Sequence, residues 1–186
     1  DHFASFNLDL MYGLPGQKHE QALTDLDIAL AFSPAHLSCY QLTLEPNTRF
    51  AAFPPALPED DLCADMQEAI ETRLDHAGYV NYETSAFALP GRQCRHNLNY
   101  WHFGDYLGIG AGAHSKLTLH DRVLRQIRWK HPAAYLENVR SGLPVQETHD
   151  VAVSQLPVEF LMNALRLTAG FQPALFEVRT AQPFSR

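Results

Sequence analysis

A chain of 186 residues, 46% hydrophobic and 19% charged, has an ordinary globular composition and is long enough to bury one sizeable core. Its net charge of -7, with 14 basic against 21 acidic residues and no basic run, excludes a surface that tracks nucleic-acid phosphates. With no apolar stretch of membrane-spanning length and no charged-then-apolar leader, we expect a cytoplasmic protein without a membrane span.

Taken in chain order, strand and helix signals alternate. Ser5 to Tyr12 reads as a buried strand with Phe6, Leu8, Leu10 and Tyr12 on one face, closed by the turn residues Gly13-Leu14-Pro15-Gly16. Ala22, Leu23, Leu26, Ala29 and Leu30 recur at helical spacing, and Pro34 closes that segment. His36 to Leu44 predicts a second strand ending at Glu45-Pro46-Asn47. Pro58 then precedes the acidic turn Glu59, Asp60 and Asp61, which suits the positive end of a helix. Leu62, Met66, Ala69, Ile70, Leu74 and Ala77 form the stripe of that helix, and Gly78 is placed as its left-handed cap. Tyr79 to Phe87 predicts a third strand and Tyr106 to Ala111 a fourth. Strands alternating with crossover helices imply an α/β fold on a parallel sheet, open or barrel-like.

After Ala113 the rhythm changes. Lys116 to Leu119 and Val123 to Trp129 flank His120-Asp121 as a hairpin, and Pro132 and Gly142 bracket a short helix. A last helix is expected over Leu156 to Thr168, with Gly170 as its stop. Asp1-His2-Phe3 opens the chain without an initiator Met, and Ala181-Gln182-Pro183-Phe184 follows a helical pattern near its end, so we expect a segment cut from a longer protein. Cys39, Cys63 and Cys94 stand too far apart for a disulfide framework, a zinc motif or a cluster motif, and are expected as free thiols.

Ligands of parallel α/β folds sit at the carboxyl ends of the strands. Asp9 is the only charge inside the first strand; either it holds a ribose hydroxyl pair or it is a buried acid with a partner inside a barrel. Gln41, Thr43 and Glu45 either line a pocket at the second strand's end or face solvent. The segment His96-Asn97-Leu98-Asn99-Tyr100-Trp101 joins an imidazole, two amides and two interfacial aromatics. As a helix it sets His96 beside Tyr100 and Asn97 beside Trp101, each pair four apart. Such a face suits haem, with imidazole on the iron, aromatics against the porphyrin and Arg92 and Arg95 near its propionates. It equally suits a helix whose His bonds a carbonyl and whose aromatics fill core. The glycines at 108, 110 and 112 fit a strand approached closely by another backbone. His102, His114, His120 and His131 show no zinc spacing.

Four segments carry a resemblance. Asn7-Leu8-Asp9-Leu10-Met11-Tyr12-Gly13-Leu14-Pro15-Gly16-Gln17, Leu37-Ser38-Cys39-Tyr40-Gln41-Leu42, the hexapeptide at 96–101 and Gly108-Ile109-Gly110-Ala111-Gly112-Ala113-His114 resemble, in order and spacing, the HemW haem chaperones of the radical S-adenosylmethionine superfamily. These are relatives of the oxygen-independent coproporphyrinogen III oxidases, which have a different sequence where HNxxYW stands here. The resemblance extends to Leu161-Met162-Asn163-Ala164-Leu165-Arg166-Leu167, where the family's helical domain begins.

The resemblance implies the C-terminal part of a six-stranded partial (β/α) barrel with extension strands and the start of a small helical domain. It places barrel and extension strands at 1–115, a connecting hairpin and helix at 116–150, and the beginning of the helical domain at 151–186. Asp9, Thr43 and His114 match positions of the S-adenosylmethionine pocket, and His96, with Tyr100 and Trp101, matches the haem position of HNxxYW. The implied cofactors are S-adenosylmethionine, a [4Fe-4S] cluster and haem, with haem or porphyrin and a haem-receiving protein as partners. The family's CxxxCxxC loop and GGGTP segment are absent, so the cluster's ligands are missing and this piece alone is expected to be inactive. The implied function is haem trafficking or insertion; the alternative is oxidative decarboxylation of coproporphyrinogen III.

Overall fold

The computed structural model describes residue 3 and residues 5–184, and the chain divides into two compact units, Asp1–Cys94 and Arg95–Arg186. In the first, β1 (Asn7–Tyr12), α1 (His19–Ala31) and β2 (His36–Gln41) form a parallel crossover unit. A short α2 (Arg49–Ala52) and the long α3 (Asp60–His76) follow, then β3 (Val80–Glu83) and β4 (Ala86–Ala88). The sheet order is β1-β2-β4-β3.

Local chemistry explains the boundaries. The backbone N–H of Lys18 donates to Gln21 Oε1 at 2.8 Å, satisfying one group at the start of α1. Ser33, with φ 51°, and Pro34 end that helix. At the end of α3, Tyr79 N–H donates to Leu74 O at 3.0 Å and Gly78 N–H to Asp75 O at 2.9 Å, the two bonds of a Schellman closure. Gly78 takes φ 82° there, which only glycine adopts without strain. Leu26, Leu37, Met66 and Leu74 are fully buried where α1 and α3 cover one face of the sheet.

The run from Tyr79 to Phe87, expected as one strand, is a hairpin. Thr84 and Ser85 form its turn, and β4 pairs antiparallel with both β3 and β2. Glu83 stabilises the turn by accepting the Ser85 N–H at 3.2 Å. Parallel pairing therefore holds for β1 and β2, while the other pairings in this sheet are antiparallel.

The second unit opens with α4 (Arg95–Trp101) and continues through β5 (His114–Thr118), β6 (Val123–Arg128), α5 (Pro132–Arg140) and β7 (Val145–Asp150). It closes with α6 (Leu156–Ala164) and α7 (Pro173–Thr180). β5, β6 and β7 make an antiparallel sheet. Phe103, Val123, Val151, Leu156, Phe160 and Phe176 form its core. The expected hairpin and the helix between Pro132 and Gly142 are both present.

The expected strand over Tyr106 to Ala111 is not formed. Only Tyr106 pairs, in an isolated antiparallel bridge to Lys116, because Gly110 and Gly112 turn the chain with φ 112° and 70°. β7 carries almost no apolar alternation, and so gave no strand signal. The helix expected to reach Thr168 ends at Ala164 in a turn. No helix among the described residues is long and apolar enough to cross a membrane.

Replacing Leu26 by Ala leaves a cavity between α1, α3 and the sheet. It should lower the stability of the first unit by roughly 2–5 kcal/mol, measured by urea unfolding under circular dichroism. A change within about 0.5 kcal/mol would contradict this core.

Candidate functional site

The register of β1 against β2 pairs Asn7 with His36, Asp9 with Ser38 and Met11 with Tyr40. Directly opposed residues share a face, so these six lie on the side away from Leu37 and Cys39, which enter the core. A polar chain runs along this face. Tyr82 and His36 Nε2 are 2.7 Å apart, and His36 Nδ1 lies 2.6 Å from Asn7 Oδ1. Ser38 also donates to Asn7 Oδ1, at 3.3 Å, and Asn7 Nδ2 donates to Asp9 Oδ1 at 2.7 Å.

This chain fixes the proton positions. Asn7 Oδ1 only accepts, so His36 carries its proton on Nδ1, and the Tyr82 hydroxyl donates to Nε2. His36 is buried and Asp9 is exposed. Burial holds the imidazole below its ordinary pKa, against the opposite pull of the Asp9 carboxylate. Asp9 is thus the exposed end of this network rather than a buried acid inside a barrel. Thr43 lies just past β2, exposed, with its hydroxyl donating to Glu45 Oε1 at 3.2 Å.

In the second unit the hexapeptide is helical as expected. The His96 ring meets Tyr100 edge-on, with centroids 4.8 Å apart and planes at 72°. Tyr100 in turn packs on Tyr106 at 4.4 Å. Arg125 donates to the Tyr106 hydroxyl at 2.7 Å and pairs with Glu159 at 2.6 Å, which ties this aromatic stack to β6 and α6. His96 is exposed, and among the described residues no hydrogen bond occupies its ring nitrogens. The guanidinium of Arg166 lies over the Trp101 ring at 4.4 Å, while the buried Trp101 Nε1 has no hydrogen-bond partner among the described residues. Burial raises the Tyr100 phenol above its ordinary pKa, with Tyr106 adding to the shift.

His114 begins β5 and is exposed. Gly108 has room for no side chain, because a Cβ would strike the His114 backbone; Gly108 N–H donates to Ser115 Oγ at 2.9 Å. Close backbone approach, expected of the glycine run, therefore occurs at Gly108, whereas Gly110 and Gly112 serve the turn.

Heme chaperone HemW of Escherichia coli K12 is 52% identical over 164 residues, spanning 88% of this chain and 42% of that protein. HemW of Haemophilus influenzae is 51% identical over 174 residues, 93% and 44% of the two chains, and that of Bacillus subtilis is 34% identical over 179 residues, 94% and 46%. This chain is HemW-like. It spans less than half the length of these HemW relatives. No family model matches. In fold it resembles the radical SAM enzyme coproporphyrinogen III oxidase (HemN) of Escherichia coli, with a TM-score of 0.75 at 20% identity over 97% of this chain and 44% of that one.

Beside the HemW-like segments stands a residue that no spacing or motif singles out. Lys116 is buried, and its Nζ donates to Phe103 O at 3.0 Å, Asp105 Oδ1 at 3.0 Å and Thr118 Oγ1 at 3.2 Å, 4.1 Å from the Phe103 ring centre. Burial pulls the ammonium below its ordinary pKa, against the Asp105 hydrogen bond. Burial also works to raise the Asp105 carboxyl, but hydrogen bonds from Thr118 and Lys116 outweigh it and hold that group low. Cys39 and Cys63 are buried, burial and then Asp9 push the Cys39 thiol up to about 12, and no group of three or more His, Cys, Asp or Glu among the described residues is arranged to hold a metal ion.

The His36 network predicts a pH dependence. The unfolded chain takes up this proton near pH 6.5 and the folded chain only at lower pH. Stability of the first unit should therefore be complete above about pH 6.5 and fall as pH drops below it, until His36 protonates in the folded state. An NMR titration should give His36 a midpoint below 6.5, and a midpoint at or above that value would contradict the buried network.

Proposed function

We propose that this chain is the haem-bearing part of a radical S-adenosylmethionine protein that carries haem rather than oxidising porphyrin. The observation that supports it best is the exposed His96 imidazole. Its ring nitrogens are unoccupied among the described residues, and it is braced by Tyr100 within a hexapeptide of a HemW-like chain. A neutral imidazole with a free nitrogen is a suitable ligand for haem iron. The Tyr100 and Trp101 rings offer apolar surface to a porphyrin edge.

The adenosyl group is assigned to Asp9, with Thr43, in the first unit. The Asp9 carboxylate has one oxygen engaged by Asn7 and the other without a partner among the described residues, so it fits a hydroxyl pair as acceptor. Bound S-adenosylmethionine would supply a 5′-deoxyadenosyl radical on reduction by a [4Fe-4S] cluster. The residues described here do not fit that cluster, so no step through it is assigned to this chain. Its own residues orient the nucleoside and hold the haem. A haem-receiving protein is the partner this role requires.

Replacing His96 by Ala in the full-length protein should remove the Soret band of bound haem by at least tenfold in affinity, while the cluster's visible absorption persists. Unchanged haem titration would overturn the assignment.

A further inference from the structure

We propose that His36 is a positioning residue for the Asp9 carboxylate, acting through the side-chain amide of Asn7. The inference rests on the reading of Asp9 as the acceptor for a ribose hydroxyl pair, and it adds a residue to which the resemblance assigns no role.

A primary amide can turn over about its terminal bond, and its two orientations present opposite chemistry to a neighbour. With Nδ2 toward Asp9 it donates to the carboxylate; turned over, it sets an oxygen lone pair against a negative charge. Nothing in Asn7 itself selects between them, since it is exposed. The Asp9 carboxylate, which only accepts, takes the Nδ2 side, and on the other side His36 Nδ1–H holds Asn7 Oδ1 at 2.6 Å.

With Asn7 Oδ1 as its acceptor, His36 carries its proton on Nδ1. The Tyr82 hydroxyl holds Nε2 at 2.7 Å, and the two rings meet edge-on with centroids 5.5 Å apart at 68°. His36 and Tyr82 are both buried, so neither side chain is free to reorient. Ser38, opposite Asp9 in the register, adds a second donor to Asn7 Oδ1 at 3.3 Å. Buried imidazole thus sets the amide, and the amide sets the carboxylate plane, with Asp9 Oδ1 engaged at 2.7 Å and Oδ2 left for a ligand.

A vicinal diol needs that fixed plane, because its two hydroxyls approach a carboxylate in one shared geometry. An unlocked Asn7 would leave Asp9 turning freely, and the diol would lose its advantage over a ligand without hydroxyls. The role therefore has a readout separate from folding, the ratio of affinities for adenosine and 2′,3′-dideoxyadenosine.

Two substitutions divide the functions of His36. An Asn side chain places its nitrogen near that of imidazole Nδ1, whereas Gln places its nitrogen near Nε2. His36→Asn keeps the bond to Asn7, and His36→Gln keeps contact with Tyr82. In the full-length protein, competition binding against S-adenosylmethionine by the two nucleosides should show the diol preference falling about tenfold in His36→Gln and changing less than about threefold in His36→Asn. Asn7→Leu, at an exposed position, should match His36→Gln and serves if that variant does not fold. Asp9→Asn separates the two claims. If it abolishes the preference while His36→Gln and Asn7→Leu retain it, the positioning role is wrong and the Asp9 reading stands. If both His36 variants lose the preference equally, the route through Asn7 is wrong. If Asp9→Asn keeps the preference, the Asp9 reading fails and this inference with it.

Discussion

Parallel pairing of β1 with β2, from Asn7 against His36 to Tyr12 against Gln41, is the constraint on which the first unit depends. It sorts side chains onto two faces. Leu37, Cys39 and Tyr12 enter the core with α1 and α3, and Asn7, Asp9, His36 and Ser38 share the other side. A slip of one residue in either strand would drive a carboxylate or an imidazole into the apolar layer and expose leucines, at a cost of several kcal/mol for each buried charge. The apolar core thus fixes the polar face's geometry without contributing a polar atom to it.

The second unit meets a similar demand by different means. Its hexapeptide helix is short, and the chain leaves it through Phe103 in a left-handed conformation with φ 54°. That exit is held from below by the Lys116 ammonium, which binds the Phe103 carbonyl, Asp105 and Thr118 together. A buried cation is costly unless its donors are satisfied, and here three acceptors and an aromatic face satisfy it. Gly104 completes the exit, donating to Asn99 O at 2.7 Å where no side chain would fit. Tyr100 and Tyr106 are then stacked, which leaves His96 braced on one side and open on the other.

Much of the fold was legible in the sequence, because it is written locally. The caps of α3, the stripe of α1, the Pro132–Gly142 bracket and the helical spacing of His96 and Tyr100 all lie within a few residues of one another. His36 and Lys116 were not legible, for a physical reason. The partners of His36 are 29 and 46 residues away, and those of Lys116 include Asp105 across a turn, so no spacing rule connects them. Polar residues at alternate positions of an otherwise apolar strand, His36 and Ser38, were the available signal of a polar face. The glycine run misled for a related reason: Gly108 is needed for close approach, but Gly110 and Gly112 supply positive φ, which breaks a strand. Motif resemblance supplied the candidate residues, and the structure supplied the network that supports Asp9.

Carriage of haem and oxidation of porphyrin differ in what happens to the tetrapyrrole. The most direct test is to incubate the full-length protein, reconstituted anaerobically and supplied with S-adenosylmethionine and reductant, with coproporphyrinogen III and to analyse the tetrapyrroles by mass spectrometry. Carriage predicts coproporphyrinogen recovered unchanged, while haem bound to the same preparation passes to an apo-haem protein. Reductant-dependent loss of carbon dioxide with formation of vinyl groups would contradict it.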